Sequence, residues 1–185
     1  MSDKKLFIFS APSGCGKTSL AQALIAARGD VAVATSHTTR AMRPGEQHGV
    51  DYFYTDTDAF EAMIKENKFL EYARVFGNLY GTSIAAAEDL MAQGKHVILD
   101  IDWQGARQVR ALYPQVVSVF IVPPSVEVLE SRLRGRGQDD DATIARRMEG
   151  AKNELSHKDE YDHIVVNDDF DIALAELDSL LNQPN

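Results

Sequence analysis

Four apolar residues, Leu6-Phe7-Ile8-Phe9, run almost directly into Ala11-Pro12-Ser13-Gly14-Cys15-Gly16-Lys17-Thr18-Ser19, and a helical pattern follows from Lys17 to Arg28. A short apolar run closed by a turn suits a strand covered on both faces. Gly14 and Gly16 let the backbone curl so that several N–H groups converge on an anion, and the helix adds its partly positive N-terminus. This is the context that a phosphate-binding loop requires. Lys17 is then placed to reach the β- and γ-phosphates of a nucleoside triphosphate, and the Thr18 hydroxyl to ligate Mg²⁺. The usual opening glycine is replaced by Ala11, which is acceptable where no left-handed backbone is needed. The competing explanation is a glycine-rich turn with an incidental lysine, and the agreement of spacing with context weighs against it. Cys15 sits where thiol pKa values tend to fall, although a small filler whose backbone N–H serves the anion is the simpler and favoured explanation.

Beyond the loop, apolar runs alternate with helical stripes. Strands are expected at Val31 to Thr35, Tyr52 to Tyr54, Phe69 to Phe76, His96 to Asp102, Val116 to Val122 and Ile164 to Val166. Helices are expected over Asp58 to Asn67, from Ser83 as N-cap to Gly94, from Ser125, along the stripe Ile144, Met148, Ala151 and Leu155, and over Phe170 to Leu181. On the first helix the stripe reads Leu20, Leu24 and Ala27, with Gly29 placed as a C-terminal cap. Strands alternating with helices predict an α/β fold, a three-layer parallel sheet with helices on both faces and ligands outside the carboxyl ends of the strands. Residues 36–83, rich in polar turns, read as a small lobe inserted into that body.

The chain has 185 residues, a net charge of −9, one cysteine and five histidines. So acidic a chain does not attract nucleic acid or an anionic membrane through its overall field, and any site for a phosphorylated substrate needs local cations. One cysteine allows no intrachain disulfide, and no apolar run approaches the ~20 residues needed to span a membrane. A cytoplasmic protein is expected. The histidines lack metal-ligand spacing, so magnesium arriving with a nucleotide is the only metal implied.

The stretch Ser36-His37-Thr38-Thr39-Arg40-Ala41-Met42-Arg43-Pro44-Gly45-Glu46 carries two arginines three apart. Arginine forks suit bidentate grip on phosphate, although arginines in a polar loop are also commonly just solvated. With this stretch and the phosphate loop, Asp51-Tyr52-Phe53, Phe69-Leu70-Glu71, Gly77-Asn78-Leu79-Tyr80-Gly81-Thr82, Leu99-Asp100-Ile101-Asp102-Trp103-Gln104-Gly105, Arg132-Leu133-Arg134-Gly135-Arg136-Gly137 and Val166-Asn167-Asp168-Asp169 occur in order. Together they make the chain resemble the bacterial-type guanylate kinases, a family of P-loop nucleoside monophosphate kinases, along nearly its whole length.

The resemblance implies transfer of the γ-phosphoryl group of ATP to GMP, with dGMP as a second candidate acceptor. It implies that Arg40, Arg43, Tyr52 and Tyr80 hold the GMP phosphate, with Glu46 in the same loop. It further implies that Glu71 and Asp102 accept from guanine, and that Ser36 and Thr82 approach its O6 edge. Guanine offers N1–H and N2–H₂ donors beside a carbonyl, whereas adenine would set a ring nitrogen against those carboxylates. Thr82 stands where serine is common, and Leu79 where many members carry a second tyrosine. Asp100, ending a strand, fits a carboxylate that holds Mg²⁺ directly or through water, and Asp102 also fits a helix cap.

The implied organisation is a P-loop core of residues 1–35, 84–125 and 148–185, a GMP-binding lobe of 36–83 and a mobile lid of 126–147. From the lid, Arg132, Arg136 and Arg147 would reach the phosphates, acting with Lys17 and Arg40 as the catalytic cations, and Asn167 would lie near adenine. No nucleophilic side chain is required, since phosphoryl transfer needs positioning and charge neutralisation. Three other readings stand beside this one. A kinase for a ribosyl bisphosphate would leave Glu71, Asp102, Ser36 and Thr82 without a base. A non-catalytic guanylate-kinase-like interaction module need not keep Lys17, Thr18 and the lid arginines. A bare NTPase switch leaves residues 36–82 unexplained.

Overall fold

In the computed structural model, which describes residues 5–182 apart from 136, 138 and 139, the opening apolar run forms β1 (Leu6–Ser10), buried at all five positions. Five strands make one sheet in the order β2-β7-β1-β8-β9, and four make another in the order β4-β3-β6-β5. The larger sheet is parallel and flanked by helices, which is the expected P-loop α/β architecture. Chain contacts divide the protein into two compact units, Met1–Phe7 with Asp30–Val116, and Ile8–Gly29 with Val117–Asn185.

In the first unit, β2 (Val31–Val33) lies parallel to β7 (His96–Asp100), with Val31 opposite His96 and Val33 opposite Ile98. The second sheet belongs wholly to this unit and falls within the lobe expected at 36–83. It consists of β3 (His37–Thr38), β4 (Phe53–Tyr54), β5 (Phe69–Val75) and β6 (Asn78–Ser83). β5 and β6 form an antiparallel hairpin with Val75 opposite Asn78, and β3 runs antiparallel to β6. Helix α2 (Thr57–Lys65) starts where the Asp56 carboxylate accepts from Ala59 N–H at 2.7 Å. It buries Phe60 completely against Phe69 and Leu79, with Met63 and Ile64 alongside, and the Phe60 and Phe69 rings stack at 4.5 Å. Helices α3 (Ile84–Ala92) and α4 (Trp103–Leu112) complete the unit, capped by Ser83 and Asp102.

In the second unit, helix α1 (Lys17–Ala27) follows the phosphate loop, and β8 (Val117–Val122) pairs in parallel with β9 (His163–Val166). Helices α5 (Val126–Gly135), α6 (Asp141–Leu155) and α7 (Phe170–Asn182) surround them. Leu129 and Leu133 of α5 and Ile144, Met148 and Ala151 of α6 are buried. The α1 and α7 ends are tied by Arg28, whose guanidinium donates to Asp178 at 3.0 Å and to Asn182 at 2.7 Å. No helix among the described residues is long and apolar enough to cross a membrane.

Four expectations are corrected. The α1 stripe is Leu20, Ala21 and Leu24, and Ala27 is exposed, because the helix buries a narrower face than its alanines suggest. Gly29 is not a left-handed cap: α1 ends at extended Arg28, whose N–H donates to Leu24 at 2.9 Å. The strand expected to reach Asp102 stops at Asp100, because Asp102 turns out to cap α4. β3 and β6 were hidden in stretches that read as polar loops, and their pairing with each other and with β5 supplies what their composition lacks.

Since Phe60 has no exposure and fills the centre of the lobe's core, Phe60→Ala leaves a cavity that costs about 3–5 kcal/mol. Urea denaturation followed by circular dichroism should show the midpoint fall accordingly; a loss below about 1 kcal/mol would mean the lobe's core is built elsewhere.

Candidate functional site

The phosphate loop is shaped by its glycines. Gly14 and Gly16 take φ of +96° and +83°, in the left-handed region that side chains resist. Gly16 is the N-cap of α1, no side chain caps this helix end, and its first turn holds no acidic residue. An anion is what the N-terminal end of such a helix and its dipole favour. Lys17 opens the helix half-buried, while Thr18 and Ser19 in the same turn are exposed, so their hydroxyls are open to solvent-borne ligands. Ser13 is exposed, Ala11 half-buried and Pro12 buried, and Cys15 N–H donates to Pro12 O at 3.2 Å. Cys15 has no exposure, and burial pushes its thiol up to about 12, the reverse of an activated cysteine.

Asn167 is built into this loop. Its side-chain amide donates to Cys15 O at 2.8 Å, and its own carbonyl accepts from Arg132 at 3.0 Å. A Cβ at residue 16 would lie 2.6 Å from the Asn167 amide nitrogen, so this packing depends on glycine there. Gly14, Gly16, Ser19, Arg132, Asn167 and Phe170 line a hollow of about 350 Å³, of nucleotide size. Arg132 therefore reaches the loop from α5, and Arg147 lies half-buried on α6. Arg136, also expected here, falls outside the described residues.

The two arginines of the polar stretch are held differently. The Arg40 guanidinium donates to Glu46 at 2.8 Å and to Ala41 O at 2.9 Å, and lies 5.3 Å from the centre of the Tyr52 ring and 5.8 Å from that of Tyr54. The other Glu46 oxygen accepts from Arg43 N–H at 2.8 Å and from Tyr54 OH at 2.7 Å. The hydrogen bond from Arg40 holds the Glu46 carboxyl down to about 2, and the same bond raises Arg40. Tyr52 packs edge-on against Tyr80 of β6 at 5.9 Å. Arg40, Tyr52 and Tyr80 are thus gathered, and Arg43 is exposed beside them with its backbone bound to Glu46.

Glu71 of β5 is 3% exposed and accepts from Thr82 N–H at 2.7 Å. Burial, reinforced by the nearby Asp102 charge and opposed by the Thr82 hydrogen bonds, pushes its carboxyl up to about 7. The Thr82 hydroxyl shares a 3.0 Å hydrogen bond with Ser36, so Ser36, Thr82 and Glu71 form one buried polar chain. A register shift between Phe69 and Glu71 marks a bulge, a device that re-aims a side chain at a site. Asp102 sits at the start of α4, accepting from Gly105 N–H at 3.0 Å and from the Gln104 amide at 2.8 Å. It is a helix cap, yet each carboxylate oxygen keeps a lone pair for a further donor. Asp100 is half-buried at the carboxyl end of β7.

Two residues escaped the sequence reading. Tyr54 anchors Glu46 and thereby Arg40; its place two residues after Tyr52, on the same strand face, was the available signal. Gln104 fixes Asp102, and nothing in its local pattern announced it.

The sequence model of the guanylate kinase family matches residues 3–184. The guanylate kinase of Chromohalobacter salexigens is 57% identical over 177 residues, covering 96% of this chain and 82% of that one. That of Methylococcus capsulatus is 56% identical over 181 residues, covering 98% and 89%. The crystal structure of guanylate kinase from Anaplasma phagocytophilum superposes with a TM-score of 0.79 at 34% identity, covering 98% of this chain and 86% of that one. With phosphate loop, buried carboxylate and arginine stretch in place, this chain belongs to the guanylate kinase family, the ATP:GMP phosphotransferases.

Proposed function

We propose that the chain transfers the γ-phosphoryl group of ATP to GMP by holding each nucleotide at its own set of residues. The observation that carries the acceptor assignment is Glu71, a carboxylate kept in a buried setting that disfavours its charge. Guanine supplies the compensation, donating N1–H and N2–H₂ to Glu71 and Asp102 while Ser36 and Thr82 face its O6 edge. A site built on such hydrogen bonds rejects bases that cannot complete them. Arg40, Arg43, Tyr52 and Tyr80 take the GMP phosphate, and Glu46 holds Arg40 in place for it. dGMP, which offers the same base and phosphate, is the second candidate acceptor.

ATP is held by Ala11 to Ser19, with the Gly14, Cys15 and Gly16 backbone and Lys17 on its phosphates and Asn167 toward adenine. In the transfer, the bond from the γ-phosphorus to the β-bridging oxygen breaks, a GMP phosphate oxygen forms the new bond, and ADP leaves. Lys17, Arg40, Arg132, Arg136 and Arg147 neutralise the charge that spreads over the moving group. No side chain is phosphorylated. We assign residues 1–35, 84–125 and 148–185 to the core, 36–83 to the GMP lobe, and 126–147 to a lid that closes over ATP and excludes water.

Thr18 and Asp100 offer a hydroxyl and a carboxylate, hard oxygen donors of the kind magnesium takes. No group of three or more acidic, histidine or cysteine residues that could cage a metal occurs among the described residues. Such an ion would arrive with the nucleotide phosphates and be finished by one or two protein oxygens. When bound, Mg²⁺ would supply charge neutralisation on the phosphates. The lone cysteine, buried and protonated, suits the reducing cytoplasm, where we place the protein.

A coupled assay of ADP formation with GMP, AMP, CMP and UMP offered separately tests this reading. Turnover should appear with GMP, and Glu71→Gln should lower kcat/KM for GMP about 100-fold or more. Equal turnover with AMP, or an unaffected Glu71→Gln variant, would defeat the base assignment. Chelation by EDTA should abolish ADP formation while leaving GMP binding, followed by calorimetry, unchanged. Turnover that persists in excess chelator would remove magnesium from the account.

A further inference from the structure

The carboxylate of Glu71 lies against the first turn of α4, and one residue there has no side chain. Gly105 is buried in helical backbone. A Cβ built on it would overlap Glu71 Oε2 and would lie 3.1 Å from Cδ and 3.3 Å from Cγ of the same side chain. The three atoms outside the helix backbone that come nearest to that missing methyl group thus all belong to Glu71. Glycine is a poorer helix former than alanine, so its presence inside α4 asks for a reason. The space it leaves is filled by the carboxylate.

The strand carrying Glu71 is fixed to the same helix. β5 is an edge strand, and its next residue, Tyr72, would otherwise present unpaired backbone groups. Gln108, three residues after Gly105 and so on the same helix face, takes both. Its amide oxygen accepts from Tyr72 N–H at 3.1 Å, and its amide nitrogen donates to Tyr72 O at 2.7 Å. These two hydrogen bonds oppose any retreat of the strand to make room for a larger residue at 105. Thr82 N–H holds the other carboxylate oxygen at 2.7 Å, closing off rotation.

We propose that Gly105 is a positioning residue for guanine recognition: its missing side chain creates the slot in which the Glu71 carboxylate is presented to the base, while Gln108 clamps the strand at that slot. The inference rests on the reading that Glu71 binds guanine. It adds that the base preference of this enzyme is set from α4 as much as from β5.

The test compares wild type, Gly105→Ala, Glu71→Ala and the double variant, using GMP and inosine monophosphate, which lacks the 2-amino group. Gly105→Ala should raise KM for GMP about tenfold or more and shrink the preference for GMP over inosine monophosphate to a similar degree. KM for ATP should move less than about twofold, a split that general damage would not produce. In the Glu71→Ala background, where nothing fills the slot, Gly105→Ala should change KM by less than about twofold and should not lower Tm further. An equal effect of Gly105→Ala in both backgrounds, or an unchanged GMP preference, overturns the proposal. If Gly105→Ala alone does not fold, the double variant decides, because recovery of the Glu71→Ala melting temperature supports the slot and continued misfolding refutes it. If Glu71→Ala leaves KM for GMP untouched, the guanine reading of Glu71 itself has failed, a result distinct from failure at Gly105.

Discussion

A carboxylate removed from water resists ionisation, and the lobe is organised around one that is nonetheless kept. Glu71 is buried between Thr82 on the neighbouring strand and the first turn of α4, and its pKa rises to about 7. Burial costs free energy in the empty protein, and that cost becomes selectivity when a ligand brings donors of the right geometry. Several structural details bear on the placement of this group. The bulge before Glu71 aims it, the Ser36 to Thr82 hydrogen bond orients its neighbour, and the packed Phe60, Phe69 and Leu79 core holds the hairpin that carries it.

The second constraint is charge. A chain of net charge −9 attracts polyphosphate only where local positive potential is assembled. The two units do this in different ways. The second uses backbone: an uncapped helix start, a left-handed Gly16 and a first turn free of carboxylates. The first uses side chains, and it places Glu46 against Arg40, a pairing that cancels charge but fixes direction. With one Glu46 oxygen on Arg40 and the other on Arg43 N–H and Tyr54 OH, the guanidinium is aimed before any ligand arrives. Preorganisation of this kind lowers the ordering cost of binding a phosphate.

Much of this was legible in the sequence because the features were local. The phosphate loop is contiguous, the alternating apolar runs located most strands and helices, and Ser83 capped α3 as its position suggested. What stayed hidden depends on partners far away in the chain. β6 could not be read because its hairpin turn, Phe76-Gly77, puts a bulky residue at φ +48° in place of the usual Asn or Asp. β3 has two residues and exists only because β4 and β6 flank it. The same holds at the site. Glu71, Asp102 and the arginines stand in motifs whose order along the chain resembles that of a family, whereas Tyr54, Gln104 and Gly105 act through neighbours that only the folded chain supplies. A glycine in a helix is uninformative until the carboxylate that fills its space is seen.

The central claim is that Glu71 meets guanine as an ionised acceptor although the empty site favours its neutral form. Calorimetry of GMP binding near pH 7, repeated in buffers of different ionisation enthalpy, counts the protons exchanged. With a pKa of about 7 in the empty protein, ionisation on binding should release about half a proton per GMP more from wild type than from Glu71→Gln, which also subtracts the titration of the phosphate. Equal proton counts for the two proteins would mean that Glu71 does not change its charge against the base, and the account of base selection would fall.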